Sequence, residues 1–144
     1  MGKYDLDFHA WAHEQAELAR RRSANELDWD NVAEELESLG KQSVWELYNR
    51  YVVLLAHLLK WRYQPERRGA SWEATIAEQR RQIAKHLRDN PSLKAVDPAE
   101  FEDAYGTARI RAAGETELDR STFPVDPPFT PEQARDDDFW PEPE

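Results

Sequence analysis

Apolar positions along this chain are densest between residues 28 and 63, DWDNVAEELESLGKQSVWELYNRYVVLLAHLLKWRY, and within Tyr51–Trp61 only His57 and Lys60 are polar. A helix that is apolar around most of its circumference must be covered on several sides. The rest of the chain therefore reads as cover for this spine. Its first third is amphipathic: Trp29, Val32, Ala33, Leu36 and Leu39 form a stripe beside Glu34, Glu35 and Glu37, with Asp28 or Asp30 as cap. Gly40 marks a break or kink, because a glycine inside a helix costs about 1 kcal/mol relative to alanine. A second segment from Gln42 to Tyr63 carries Leu47, Tyr51, Leu54, Leu55, Leu58 and Leu59 on a wide apolar arc. Glu46, Arg50, His57 and Lys60 lie on a narrower polar stripe.

The same 3–4 spacing predicts the surrounding elements. Residues 5–22 form a first helix, capped by Asp5 or Asp7, with Phe8, Trp11, Ala12, Gln15, Leu18 and Ala19 on one face and Arg20–Arg22 closing the last turn. Pro65 and Gly69 bound a turn. From Ser71 as cap, a helix runs to about Asn90. Trp72, Ile76, Ile83 and Leu87 face inward there, and Glu78, Arg80, Arg81, Lys85 and Arg88 face out. A further start signal combines Asp97 as cap, Pro98 at the first helical position and Glu100 as capping-box partner. Phe101, Ala104, Tyr105, Ala108 and Ala112 form its small-residue face, Gly106 implies close helix–helix approach, and Gly114 stops it. Six of the nine prolines then fall in 124–144, with a helical turn after Thr130-Pro131 and an acidic, aromatic end, Asp136–Trp140. No strand-like alternation appears.

The expected fold is all-α. It is a single-domain helical bundle of about four to five main helices around the apolar spine. Residues 5–114 make the bundle, and a Pro-rich acidic segment, 115–144, wraps it. Cysteine is absent, which removes disulfides and thiolate metal sites. The polar N-terminus is unlike a signal peptide, and the longest apolar run falls well short of the roughly 20 residues that span a bilayer. These features lead to the expectation of a cytoplasmic protein away from membranes. The net charge of −10 disfavours polyanionic partners overall. It is unevenly spread, however: residues 60–88 hold 8 basic and 3 acidic side chains, between flanks with 26 acidic residues.

The strings DFHAWAHEQAELAR, LDWDNVAEELESLG, LLAHLLKWRYQPERR, SWEATIAEQRRQI and NPSLK closely resemble one bacterial family. It is the domain-of-unknown-function family number twenty-nine, common in cyanobacteria and proteobacteria. The resemblance runs from Tyr4 to about Trp140, and the HLLKW, QPERR and SW blocks are specific to it. It implies an all-helical domain and a bacterial source, and no assigned activity. Where His9 stands, members of that family more often have tyrosine; where Trp45 stands, a charged residue.

Three constellations carry candidate chemistry. His9, His13 and Glu17 fall at i, i+4 and i+8, a spacing that can present two imidazoles and a carboxylate to zinc or iron. A solvated polar stripe opposite Phe8, Trp11 and Leu18 is the preferred reading, so no metal and no cofactor is expected. His57 with Glu34, Glu35 or Glu37 suggests a bundle-core metal site, but such sites use Glu-x-x-His pairs that this chain lacks. A histidine bordering the core and bonded to a carboxylate or carbonyl is preferred. The basic island, with Arg80 and Arg81 interleaved with Trp61, could grip a phosphate backbone and stack bases. Neutralisation by the acidic Glu34–Glu37 face and the Asp136–Trp140 tail is preferred.

No serine has a nucleophile-elbow context and no Gly-rich phosphate loop exists, so no catalytic residue is assigned. The expected function is that of an interaction protein with another protein as partner. Trp45 and Trp140 are the first aromatics to reach it. Glu34, Glu37, His57, Trp61, Arg80, Arg81 and Trp140 are the candidate binding residues. A metal-dependent hydrolytic bundle and a nucleic-acid binder using residues 60–88 are the alternatives.

Overall fold

The computed structural model describes residues 2–143. They hold six α-helices: α1 (Lys3–Leu6), α2 (Phe8–Arg20), α3 (Trp29–Tyr63), α4 (Ala70–Asp89), α5 (Asp97–Thr116) and α6 (Pro131–Arg135), joined by short 3-10 turns. No strand occurs among the described residues, so the all-α expectation holds. The helical domain divides into two compact units, residues 1–43 and 44–144.

In the first unit the predicted single helix over 5–22 is split at Asp7, whose carboxylate accepts from the Ala10 backbone N–H and caps α2. Trp11 and Leu18 are the buried residues of α2. The Trp11 indole donates to Asp28 Oδ2 at 3.0 Å, and the Asp28 backbone N–H donates to Gln15 Oε1 at 2.8 Å, which ties α2 to the start of α3. Hydrogen bonds from Asn31 and then Trp11 hold the Asp28 carboxyl below the usual range. The Tyr4 hydroxyl donates to Glu35 and its ring meets Trp11 edge-on at 4.7 Å. That bond, with burial and nearby carboxylates adding to it, pushes the Tyr4 phenol up to about 12. At the end of α2, Arg22 turns the chain with φ 57°.

Gly40 does not break α3, which is helical from Trp29 to Tyr63. A local cost of about 1 kcal/mol is outweighed when the flanking residues continue the ladder.

The second unit is built on the remainder of α3. Leu47, Tyr51, Leu54, Leu55, Leu58 and Leu59 are fully buried, as are Ile76 and Ile83 of α4 and Ala104, Ala108 and Ala112 of α5. Arg50 to Gln79 and Glu46 to His86 are paired in opposite order, so α4 runs antiparallel to α3. The segment after α5 packs as an apolar strap, with Phe123, Phe129 and Ala134 buried in the same core. Its Pro-rich backbone has carbonyls without helical partners, and arginine, which only donates, suits them. Arg109 donates to the Phe123 and Arg120 carbonyls, Arg68 to the Pro141 carbonyl, and Arg80 to those of Ala134, Asp137 and Phe139. The Tyr105 hydroxyl donates to Pro124 O at 2.6 Å.

Four expectations are corrected here. Arg80 does not face out; it is 2 % exposed, since the strap that carries its three carbonyl partners passes over it. Ser71 does not cap α4, which starts at Ala70 behind an extended Gly69. Asp97 does not cap α5; it is the first helical residue, 5 % exposed, with its carboxylate spent on tertiary bonds. Gly114 does not stop α5, which reaches Thr116 and closes through Glu117 at φ 61°.

Gly106 is exposed, and a Cβ built there meets nothing within 4 Å, so the close approach expected of it is absent. Gly106→Ala is therefore expected to stabilise the protein by about 0.5–1 kcal/mol through the unfolded state. A urea titration checks this, and a lowered midpoint would contradict it.

Candidate functional site

The first unit has more apolar surface than its own helices can cover. Phe8 is 50 %, Trp29 59 %, Leu36 62 % and Leu39 57 % exposed, although all four sit on the stripes that predicted burial. Together with Trp11 and Val32 they line an open groove of about 650 Å³ between α2 and the first turns of α3. The cause is local: α2 is short, and its small residues Ala12, Ala16 and Ala19, also in the lining, leave the opposing stripe of α3 uncovered. Such a groove can accept an apolar helix face; it offers few polar groups for small-molecule recognition. Trp45, 61 % exposed in the second unit, borders a separate 340 Å³ depression with Tyr48, Glu100 and Asp103.

The residues singled out from sequence are distributed as follows. Glu34 and Glu37 are exposed on α3 in the first unit. His9 and His13 stack at 6.0 Å, while Glu17 pairs with Arg20 at 3.0 Å. No three His, Asp or Glu side chains gather in a metal-holding arrangement among the described residues. His57 belongs to the second unit, where its Nδ1 donates to the Val53 carbonyl of its own helix at 2.8 Å. Burial lowers its pKa against the raising effect of that bond, so the neutral ring is favoured.

Trp61, Arg80 and Trp140 do come together. The two indoles lie 4.6 Å apart and the Arg80 guanidinium sits 5.3 Å from the Trp140 ring. Trp140 thus spends its faces inside the unit, and the strap meets Arg80 through carbonyl oxygens, not through the carboxylates expected to neutralise the island. Arg81 is exposed on α4 and lines a cavity that Trp140 also borders.

Sequence reasoning missed a buried polar cluster. Tyr51 OH donates to Asp97 Oδ1 at 2.6 Å, and Arg135 donates to Asp97 Oδ2 at 2.6 Å and to Tyr51 OH at 2.8 Å. Burial and then the Asp97 bond raise the Tyr51 phenol far above its ordinary value. Burial works against charge on Arg135, but Tyr51 and Asp97 outweigh it and raise its pKa. A tyrosine in an otherwise aliphatic arc was the one signal available, since a buried hydroxyl needs a partner.

Among the described residues no helix is long and apolar enough to cross a membrane. Comparison with curated proteins finds no match, and comparison with solved structures finds none either. The family model described as domain of unknown function DUF29 matches residues 3–140, and with nearly the whole length covered the chain belongs to the DUF29 family.

Proposed function

We propose that this is a cytoplasmic interaction protein whose first unit docks a partner protein in the groove lined by Phe8, Trp29, Leu36 and Leu39. The observation carrying this reading is the contiguous exposure of those four large side chains, because such patches mark interaction sites. Residues 1–43 hold ten acidic and five basic side chains, and Glu34 and Glu37 stand exposed on the helix that forms one wall. The fitting occupant is an amphipathic helix of another protein, with apolar residues at i, i+3 or i+4 and i+7 and basic flanks. A second copy would bring an equally acidic face against this one, and an anionic bilayer would be repelled in the same way.

The test uses Trp29→Glu and Leu36→Glu, which alter exposed side chains and are expected to leave the thermal midpoint within a few degrees of wild type. A purified partner bound by wild type is expected to bind each variant at least about tenfold more weakly, since a buried interface anchor contributes roughly 2 kcal/mol or more. Equal affinity of wild type and both variants would overturn the reading.

A further inference from the structure

One face of α4 presents Ala77, Arg81, Ala84, Lys85 and Arg88, and together with Arg80, Arg135, Asp137 and Trp140 it surrounds an open cavity of about 600 Å³ in the second unit. Five cations and a single carboxylate therefore border one space. The charges are not all matched elsewhere. Lys85 pairs with Asp89 at 2.9 Å and Arg135 with Asp97. Arg80 is bonded only to carbonyl oxygens, and Arg81 and Arg88 form no ion pair among the described residues. The Asp137 and Asp136 carboxylates act on Arg80 through space, without hydrogen-bonding its guanidinium. Arg80, Arg81 and Arg88 outnumber the Asp137 and Asp136 carboxylates that act on Arg80, so an excess of positive charge remains at the cavity.

We propose that this cavity is an anion site for a phosphorylated small molecule carrying at least two negative charges. Arg81 and Arg88, one helical face apart by seven residues, are placed to take phosphoryl oxygens, because planar guanidinium forks match phosphate geometry. Buried Arg80 supplies further positive potential beside them. Ala77, Ala84 and the Trp140 indole provide the apolar wall for an organic part, and the volume is in the range of ligand pockets. The site is separate from the groove of the first unit and does not depend on it.

The experiment titrates inorganic pyrophosphate, and separately adenosine diphosphate, into the full-length protein by calorimetry and by intrinsic tryptophan fluorescence at low salt. Saturable binding at one site, weakening as salt rises, is the expected result, with ADP binding more tightly than pyrophosphate. Arg81→Gln combined with Arg88→Gln, both exposed, is expected to keep the thermal midpoint and to weaken binding at least about tenfold. Absence of saturable binding at millimolar pyrophosphate and ADP would overturn the proposal, as would unchanged affinity in the double variant. Tighter binding of a single-stranded oligonucleotide with growing length, while the diphosphates fail to bind, would replace it with a nucleic-acid surface. Preference for a glutamate-rich peptide over both probes would replace it with a peptide surface.

Discussion

Arg80→Ala is expected to lower the stability of the protein by roughly 3–5 kcal/mol and to release the strap that follows α5. Arg80 is the largest of the fully buried side chains, and its guanidinium is the shared donor for the Ala134, Asp137 and Phe139 carbonyls at 2.8, 3.5 and 2.6 Å. Truncation removes three hydrogen bonds in a segment where no helical N–H can replace them, and opens a cavity beneath Trp140. Arg80→Met refills most of the volume but donates nothing, so it separates the two contributions. It is expected to recover the cavity part alone. Urea unfolding gives the free energies, and limited proteolysis within residues 118–143 reports release of the strap. A loss below about 1 kcal/mol with unchanged proteolysis would show that the strap is held by Phe123 and Phe129 instead.

Asp97→Ala is expected to cost about 3–5 kcal/mol, because it breaks a buried pair from one side. The Tyr51 hydroxyl, fully buried, loses its acceptor, and Arg135 loses the carboxylate that offsets its burial. The three residues come from α3, α5 and α6, so the cluster joins elements that are distant along the chain. Asp97→Asn keeps an acceptor for Tyr51 but not the charge and is expected to lose less. Tyr51→Phe is expected to lose about 1–2 kcal/mol, the usual scale for one buried hydrogen bond. If Asp97→Ala and Arg135→Ala cost the same singly and their combination equals the sum, the residues are independent and the network account fails.

Helix identity was legible because periodicity is a local property. The apolar arc of Leu47–Leu59 and the helical turn behind Thr130-Pro131 follow from spacing and capping chemistry, and that turn carries a capping box at Thr130 and Gln133. Signals that name a residue type without naming its partner were misleading. Asp97 next to Pro98 looks like a helix cap, yet the same short carboxylate serves equally as a buried acceptor, and only the approach of Tyr51 and Arg135 decides between them. Arg80 falls on a face that charge alone would send to water. It is buried because the strap passes over that face.

The exposed groove is the opposite case. Trp29, Leu36 and Leu39 have the same spacing as the buried residues of α3, and nothing in that spacing records whether a second helix is present to cover them. By itself the sequence determined the all-α class, the heavily buried segment of α3 and the membership of nearly the whole chain in its family, since each rests on short-range pattern or direct residue matching. Only the tertiary structure decided which polar groups are buried and which apolar ones are left open. Burial and ion pairing depend on what approaches from distant parts of the chain, and that information is absent from any local window.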